Sequence, residues 1–202
     1  MTTALAIFVK TPELSPVKTR LAKDIGKESA IRLYESFIDI IEKKIKYLTK
    51  DKAHIIPYFA IAEKEGLSNH RWQAFDKIHT GNGDLGERLH NVYSSLLKRH
   101  DEVVIIGSDS PQISSKIITK AVISIKKNNN FVIGPAKDGG FYLFAGNKEI
   151  PKELWMDVVY SKDTTMTDLV EKLEPISKIE FLETLVDIDQ LDDLIFLLKE
   201  NL

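Results

Sequence analysis

The segment from Val103 to Pro111, VVIIGSDSP, most constrains the fold of this 202-residue chain. Four β-branched apolar residues run into a glycine and then into polar turn residues. A continuous apolar run with such ends predicts a strand covered on both faces, as in the parallel sheet of an α/β protein. Open α/β sheets bind ligands at the carboxyl ends of their strands, so Asp109 is a candidate for holding a metal ion or a ribose hydroxyl. The alternative is a turn or helix cap, for which Asp-Ser-Pro is equally suited.

Apolar runs and helical stripes alternate along the rest of the chain. Strands are predicted within residues 5–9, 54–62, 77–80, 131–133, 141–145 and 176–182. Apolar residues at helical spacing predict helices within residues 31–48, 89–97, 117–125, 165–173 and 191–198. Pro57 favours an edge position or a bulge in the second strand, and the strand at 141–145 is expected to be antiparallel. The alternation, without linker or repeat, predicts one α/β domain over residues 1–202 with a mostly parallel sheet.

Composition excludes several kinds of site. The chain has no cysteine, which rules out disulfides, thiolate catalysis and Cys-based zinc sites, and its five histidines show no metal-ligand spacing. The formal net charge of −2 gives no reason to expect nucleic acid or an anionic membrane as a partner. No apolar stretch is long enough for a membrane span and the N-terminal run lacks a basic leader, so we expect a cytoplasmic protein. The oligomeric state is not predictable from these features.

The loop after the first strand, Lys10 to Leu21 (KTPELSPVKTRL), carries three cations, Lys10, Lys18 and Arg20. A basic loop between a strand and a helix can bind a diphosphate through cationic side chains and helix N-terminal amides. It is not a Walker A loop, because it contains no glycine. The alternative is a solvated basic loop without a ligand.

A second loop, Gly81 to Gly86 (GNGDLG), has the glycine spacing of dinucleotide-binding proteins, with Asp109 at the position of a ribose-binding acid. The strand before it is short and polar, whereas that fingerprint follows a buried central strand. We therefore expect phosphate or sugar contacts at Gly83, Asp84 and Gly86 and keep NAD-type binding as the alternative. First-turn acids that favour the helix dipole are a competing explanation for Asp84 and Glu87.

Two further segments carry acids. Asp138 precedes two glycines in GPAKDGGFYL (residues 134–143), which fits either a tight turn or an acid that faces a ligand. In VDIDQLDDL (residues 186–194), Asp189 is interpreted as a helix N-cap and Asp192 as its reciprocal partner. Asp187, just before the cap, is the freer carboxylate.

Taken in order, these five segments resemble those of a bacterial family of GT-A-like nucleotide-diphospho-sugar transferases, which includes the arsenosugar-biosynthesis-type glycosyltransferases. The similarity covers nearly the whole chain. It implies a GT-A fold, which is a Rossmann-like three-layer α/β/α sandwich around a mostly parallel mixed sheet. The chain departs from the family pattern at Leu14-Ser15, where a glycine is usual, and at Gln190-Leu191, where Thr-Pro is usual.

The resemblance also implies roles for single residues. Lys18 and Arg20 are similar to the family's phosphate-loop cations, and Asp109 to its metal-binding aspartate. Asp138 resembles the acid that faces the acceptor or adds a second metal contact. Asp187 resembles a C-terminal aspartate that related nucleotidyltransferases bring to the metal, which is expected to be Mg²⁺ or Mn²⁺.

Three functions remain open at this point. The first is transfer of a glycosyl group from a nucleotide diphosphate-sugar to a small-molecule acceptor. The second is nucleotidyl transfer from a nucleoside triphosphate to a phosphorylated small molecule. The third is nucleotide binding without turnover.

Overall fold

The computed structural model describes residues 1–200, which form seven strands and seven α-helices. The strands are β1 (Thr3–Val9), β2 (Ile55–Ile61), β3 (Asp76–His79), β4 (Glu102–Ile106), β5 (Phe131–Pro135), β6 (Phe141–Gly146) and β7 (Ile179–Phe181). The helices are α1 (Ala22–Ile25), α2 (Lys27–Asp51), α3 (Leu85–Leu97), α4 (Ser115–Asn128), α5 (Lys152–Met156), α6 (Thr165–Leu173) and α7 (Leu191–Glu200). Two 3-10 turns, Glu65–Ser68 and His70–Trp72, connect β2 to β3.

The strands form one mixed sheet in the order β3-β2-β1-β4-β6-β5-β7. Strands β1 to β4 pair in parallel, and so do β5 and β7. Strand β6 lies antiparallel between β4 and β5, as the sequence predicts. One core packs α2 and α4 against one face of the sheet, and a second core packs α3, α5 and α6 against the other. The predicted three-layer sandwich with a mostly parallel sheet is confirmed.

Burial on both faces explains why the central strands read as continuous apolar runs. In β1, Leu5 and Ile7 enter the core on the α2 side, whereas Ala4 and Ala6 enter the core on the α3 side. All five residues of β4 are buried. Successive side chains of a strand point to opposite faces, so a strand covered on both sides needs an apolar residue at nearly every position.

Pro57 lies in β2, which is an interior strand, yet it occupies a local edge. Strand β3 pairs with β2 only from Tyr58 to Ile61, so on that side Pro57 lies beyond the end of its neighbour. The predicted edge position is therefore correct for Pro57 itself, which has no β3 neighbour. It is wrong for β2 as a whole, which lies between β3 and β1.

The segment 155–160, which the sequence pattern left unassigned, begins with the end of the short helix α5. Strand β4 ends at Ile106, so Asp109 lies in the loop that follows rather than on the strand.

Within residues 1–200, no helix combines the length and the apolar character needed to cross a membrane.

Candidate functional site

A cleft of about 820 Å³ runs along the carboxyl edge of the sheet, over the ends of β2, β1 and β4, within the usual size range of small-molecule sites. Its lining includes eight of the nine candidate residues: Lys10, Lys18, Arg20, Gly83, Asp84, Asp109, Asp138 and Asp187. Parallel strands end at the same edge, which is why residues distant in sequence meet here.

Gly86 is the candidate that the structure does not bring to the cleft wall. It is buried in the first turn of α3, where an added Cβ would lie 2.5 Å from the carbonyl oxygen of Trp155. The glycine lets α3 pack closely against α5. Its predicted contact with phosphate or sugar therefore has no support in this geometry.

Lys18 connects three segments at the charged end of the cleft through ion pairs and a hydrogen bond. Its Nζ lies 2.6 Å from Oδ1 of Asp109 and 3.2 Å from Oδ1 of Asp189. It also donates to the backbone oxygen of Ile188 at 2.6 Å, and only 2% of the side chain is exposed. The lysine thus joins the first loop to the loops after β4 and β7, and its charge is already directed at carboxylates.

Asp109 keeps a free approach from the cleft despite this contact. Its side chain is 43% exposed, and only Oδ1 contacts the Lys18 amine. Its backbone oxygen accepts a hydrogen bond from the N–H of Ile188, which fixes the 186–190 segment beside it. The ion pair is partly open to solvent, so it leaves Asp109 able to contact a ligand.

Asp187 is partly buried near Asp109 and accepts a hydrogen bond from the Ser110 hydroxyl. Burial raises the pKa of Asp187 from 3.8 to about 7, and the nearby charges of Asp109 and Asp138 act in the same direction. The Ser110 hydrogen bond and the Lys18 charge oppose the rise in pKa. Among the described residues Asp187 forms no salt bridge and takes no part in the helix cap, whereas Asp189 pairs with Lys18 and Arg20, so Asp187 is the freer of these two carboxylates, as expected.

Asp138 sits in the turn between β5 and β6. Its Oδ1 accepts a hydrogen bond from the N–H of Gly140 at 2.9 Å, as expected for an aspartate in a tight turn. The side chain is nevertheless exposed and lines the cleft. The turn and the ligand-facing explanation are therefore compatible.

The cap at the start of α7 differs from the expected one. The carboxylate of Asp193 accepts the N–H groups of Asp189 and Gln190 at 3.1 and 2.8 Å. Asp189 instead pairs with Lys18 and lies 3.8 Å from Arg20. The helix begins at Leu191, so Asp193 and not Asp192 fills the reciprocal position, and Asp189 is a site residue that the sequence interpretation missed.

At the opposite end of the cleft, Asp84 caps α3 by accepting the N–H of Glu87 at 2.9 Å. The competing explanation of Asp84 as a helix-terminal acid is thus confirmed, and Asp84 lines the cleft as well. Gly83 has a φ of 98°, which favours glycine. Arg88, which the sequence motifs did not identify, fixes this turn. Its guanidinium donates to the backbone oxygens of Gly83 and Ala62 at 3.0 and 2.9 Å.

Lys10 is exposed at the cleft wall, while its backbone is fixed by a buried tyrosine. The N–H of Lys10 donates to the Tyr34 hydroxyl at 2.8 Å, and that hydroxyl donates to the oxygen of Lys10 at 3.2 Å. Burial raises the pKa of Tyr34 well above its ordinary value, so the hydroxyl stays neutral. The ammonium group of Lys10 is therefore exposed to solvent, unlike that of Lys18, while the Lys10 backbone is held in place by Tyr34.

The carboxylates of the cleft suit a divalent metal that is also held by waters and a substrate phosphate. Among residues 1–200, no three His, Asp or Glu side chains form a ready-made metal cage. Mg²⁺ usually takes one or two carboxylates together with waters and substrate phosphates, so the pair Asp109 and Asp187 matches that mode of binding. Burial is the largest cause of the raised pKa of Asp187, and the charges of Asp109 and Asp138 add to it, so a bound cation would offset like charges at this place.

Comparisons with known proteins agree with the fold. A family model described as uncharacterized proteins conserved in bacteria (DUF2064) matches residues 47–162. A search of curated proteins gave no match.

Three solved structures illustrate the similarity of fold. A protein of Desulfovibrio desulfuricans G20, provisionally named a nucleotide-diphospho-sugar transferase, is 25% identical with a TM-score of 0.88 and covers 100% of this chain and 88% of its own. The 4-diphosphocytidyl-2C-methyl-D-erythritol synthase of Anaerococcus prevotii is 13% identical, with a TM-score of 0.61 and coverage of 96% and 95%. Rv0371c of Mycobacterium tuberculosis, solved with manganese, is 12% identical, with a TM-score of 0.55 and coverage of 98% and 99%.

The fold and these neighbours place the chain in the class of transferases with the nucleotide-diphospho-sugar transferase type of α/β fold. The chain belongs to the bacterial DUF2064 family, whose model matches more than half of it. The family and fold expected from the five sequence segments are thereby confirmed.

Proposed function

We propose that the protein is a metal-dependent transferase that binds a nucleotide diphosphate-sugar and transfers its glycosyl group to a small-molecule acceptor. The observation that carries the proposal is the meeting of Lys18 and Arg20 with Asp109, Asp187 and Asp189 at one end of a cleft that is otherwise large enough for a nucleoside. The name of the Desulfovibrio neighbour supports a nucleotide-sugar substrate.

Asp109 and Asp187 are the residues that would hold a divalent metal ion. Bound there with a diphosphate, Mg²⁺ or Mn²⁺ would neutralise the charge that develops on the leaving group. The manganese complex of the Mycobacterium neighbour supports such an ion in this fold. Asp187 must lose its proton to serve as a ligand, so a metal ion and the proton would compete for this carboxylate.

The cations of the first loop would bind the diphosphate from the other side. Arg20 is 64% exposed and extends from the loop beside Asp189, while Lys10 is exposed further along the same loop. Lys18 would act mainly by holding Asp109 and Asp189 in place, because its amine is buried between them. Fixed charges of this kind stabilise a transition state without reorganising during the reaction.

Asp138 would serve the acceptor. It is exposed at the cleft, and its turn is held by Gly140, so its free carboxylate oxygen has a defined position. A carboxylate so placed can accept the proton of an acceptor hydroxyl as that oxygen attacks the sugar carbon.

Nucleotidyl transfer is the second candidate. The name of the Anaerococcus neighbour, a diphosphocytidyl synthase, is the observation that favours it, and the same site would serve attack on the α-phosphorus of a nucleoside triphosphate. A nucleotide-binding protein without turnover is the third possibility, and it differs from both in releasing no product.

Product analysis separates these functions. The protein with Mn²⁺ is incubated with nucleotide sugars and with nucleoside triphosphates, each with a mixture of small hydroxylated and phosphorylated acceptors. Glycosyl transfer predicts release of nucleoside diphosphate from a nucleotide sugar, and its loss in Asp109→Asn. Release of pyrophosphate from a triphosphate alone would instead establish nucleotidyl transfer, and tight binding without either product would leave a binding protein.

A further inference from the structure

Helix α4 carries a basic row on the side that faces solvent. The four members of the row are exposed and lie at positions i, i+4, i+7 and i+11, which share one face of a helix. They are Lys116, Lys120, Ile123 and Lys127. Ile123 is 56% exposed between the lysines, and the helix contains no acidic residue. Since these side chains lie outside both cores, the packing of the fold does not account for the row.

The C-terminal half of α2 repeats this pattern. Lys43, Tyr47 and Lys50 are exposed at positions i, i+4 and i+7, and Tyr47 is 68% exposed. Together, residues 43–52 and 115–128 hold nine lysines and a single acid. The formal net charge of −2 for the whole chain therefore hides one strongly basic face, and the rest of the chain is correspondingly acidic.

The two rows lie on neighbouring helices. Nζ of Lys44 donates to the backbone oxygen of Pro111 at 2.7 Å, which holds α2 against the loop before α4. A groove of about 450 Å³ runs between the helices and is lined by Tyr47 from α2 and Ile123 from α4. Among the described residues, none that lines this groove also lines the cleft. The seven exposed residues of the two rows thus form a separate surface, the α2–α4 face.

The lysines of the α2–α4 face are available to an external anion. On the same helices, Lys46 pairs with Glu42 and Lys126 approaches Glu102. Within residues 1–200, the five lysines of the two rows form no salt bridge with any acid. Like charges gathered on one face repel one another, so an anionic partner would lower their electrostatic energy. The two large apolar side chains between them would gain at the same time by leaving water.

We propose that the α2–α4 face binds the surface of an anionic lipid membrane. Tyr47 and Ile123 enter the headgroup region, and the lysines of the two rows contact the lipid phosphates. Helices that lie in the plane of a membrane combine lysines with large apolar side chains in this way. Lysine is a flexible point charge, which suits a plane of mobile phosphates, whereas arginine suits fixed bidentate contacts. Membrane binding of this kind is independent of the transferase activity proposed above.

Two other anionic partners fit this face less well. Nucleic acid would pair with the lysines but would leave the exposed Ile123 without an apolar partner. An acidic peptide in the groove would leave Lys43, Lys50 and Lys127 outside the contact, because these three do not line the groove. An extended anionic plane with an apolar interior is the partner that engages the whole face.

Sedimentation with lipid vesicles tests this membrane contact. The wild type should bind vesicles that contain phosphatidylglycerol beside phosphatidylcholine, and should not bind vesicles of phosphatidylcholine alone. Added salt should weaken the binding because it screens the charges. Lys116→Glu/Lys120→Glu reverses two charges at the membrane surface and should lower the partition coefficient at least about tenfold. The matched control Lys77→Glu/Lys98→Glu makes the same change in net charge at exposed positions outside the groove and the cleft, and should bind nearly as the wild type does.

A second variant isolates the apolar contribution. Tyr47→Gln/Ile123→Gln keeps every charge, so it should retain the preference for anionic vesicles but bind them several-fold more weakly. All the substituted side chains are exposed, and we expect each variant to melt within a few degrees of the wild type. A loss of binding in a variant that melts normally is then a property of the surface.

Four results would overturn the proposal. One is absence of wild-type binding to anionic vesicles at low salt, and another is equal binding to neutral and anionic vesicles. A third is equal weakening by the two charge-reversal variants, which would reduce the effect to net charge. The fourth is binding to duplex DNA that exceeds binding to vesicles and survives Tyr47→Gln/Ile123→Gln, which would identify nucleic acid as the partner.

Discussion

Lys18 shows how one side chain can hold a site together. The backbone of Lys18 adopts a φ of 47°, in the left-handed region, and its buried amine lies between Asp109 and Asp189. A non-glycine residue in that region is uncommon and is maintained by its surroundings. The backbone conformation and the ion pairs together fix where the first loop crosses the end of β4.

Replacing Lys18 by methionine should therefore destabilise the ligand-free protein. The change leaves two neighbouring carboxylates without their shared cation and the oxygen of Ile188 without its donor. We expect a loss of about 1–3 kcal/mol, which is roughly 2–12 °C in melting temperature for a domain of this size. Lys10→Met removes an exposed cation from the same loop and should change the melting temperature little; equal effects of the two variants would deny Lys18 this role.

Asp187 gives the stability a defined pH dependence. Its pKa is raised from 3.8 to about 7 in the folded protein, so between those values the folded state binds the proton more tightly than the unfolded chain. Its contribution to the free energy of unfolding is complete below pH 3.8 and is lost as pH rises through 7. Asp187→Asn keeps an acceptor for Ser110 and cannot ionise. It should raise the melting temperature at about pH 8, and the gain should shrink toward pH 4.

Thermal unfolding of both proteins across that pH range measures the difference. Asp157→Asn, at an exposed position outside the cleft, is the control and should give no pH-dependent gain. A gain for Asp187→Asn that stays constant with pH would mean that the carboxylate is not the titrating group.

The residues that sequence interpretation placed wrongly are those whose partners are distant. Asp189 fits a local cap pattern, but its carboxylate is taken by Lys18, 171 residues away in sequence, and Asp193 caps instead. Gly86 belongs to a nucleotide-like motif, yet it serves the packing of α3 on α5. Local spacing carries no information on either contact, so only the folded chain decides between the local and the tertiary role.

At the scale of elements, the turn of residues 136–140 packs tightly on the segment before α6. The N–H of Met166 donates to the oxygen of Gly139 at 2.9 Å. A Cβ added to Gly139 would lie 1.9 Å from the backbone oxygen of Asp163, and the φ of Gly139 is 89°. This contact fixes the turn that carries Asp138 at the cleft.

Gly139→Ala should therefore disturb both the fold and the site. Backbone strain of this kind costs on the order of 1–3 kcal/mol, and the steric contact adds to it, so the melting temperature should fall by several degrees. Gly107→Ala is the matched control, because a Cβ there meets nothing within 4 Å and its φ is not left-handed. Equal melting temperatures for the two variants would contradict the close packing of this turn.

Elements with strong local signals were predictable. Ser114 caps α4 by accepting the N–H of Ile117, and Asn129 ends that helix in the left-handed conformation, so the caps flank the helical stripe predicted within residues 117–125. Helix α5 was not predicted, because its five residues are too few to show periodicity. Strand β3 has four residues and no buried side chain, and it was predictable only as a weak strand.

At the scale of the molecule, the sheet order explains why the site forms where it does. Strand β1 lies between β2 and β4, so the first loop is flanked by the segments that carry Glu63 and Asp109. The apolar runs predicted the strands, and the order of five segments predicted the fold by resemblance. Neither revealed that Lys18, Asp109 and Asp189 meet at one end of the cleft, because that arrangement depends on side chains from several elements.

The most direct test of the account is a thermal-shift measurement with nucleoside diphosphates, with and without Mn²⁺, on the wild type and Asp109→Asn. A ligand at about 100 times its dissociation constant adds roughly 2.7 kcal/mol, so the right diphosphate with Mn²⁺ should raise the wild-type melting temperature by about 5–11 °C. Asp109→Asn should lose the Mn²⁺-dependent part of that rise, and its ligand-free melting temperature should fall by less than that of Lys18→Met, because the amide oxygen and Asp189 still contact the lysine amine. A variant that retains the full rise but melts many degrees lower without ligand would show that Asp109 is a structural turn residue and would contradict the proposed site.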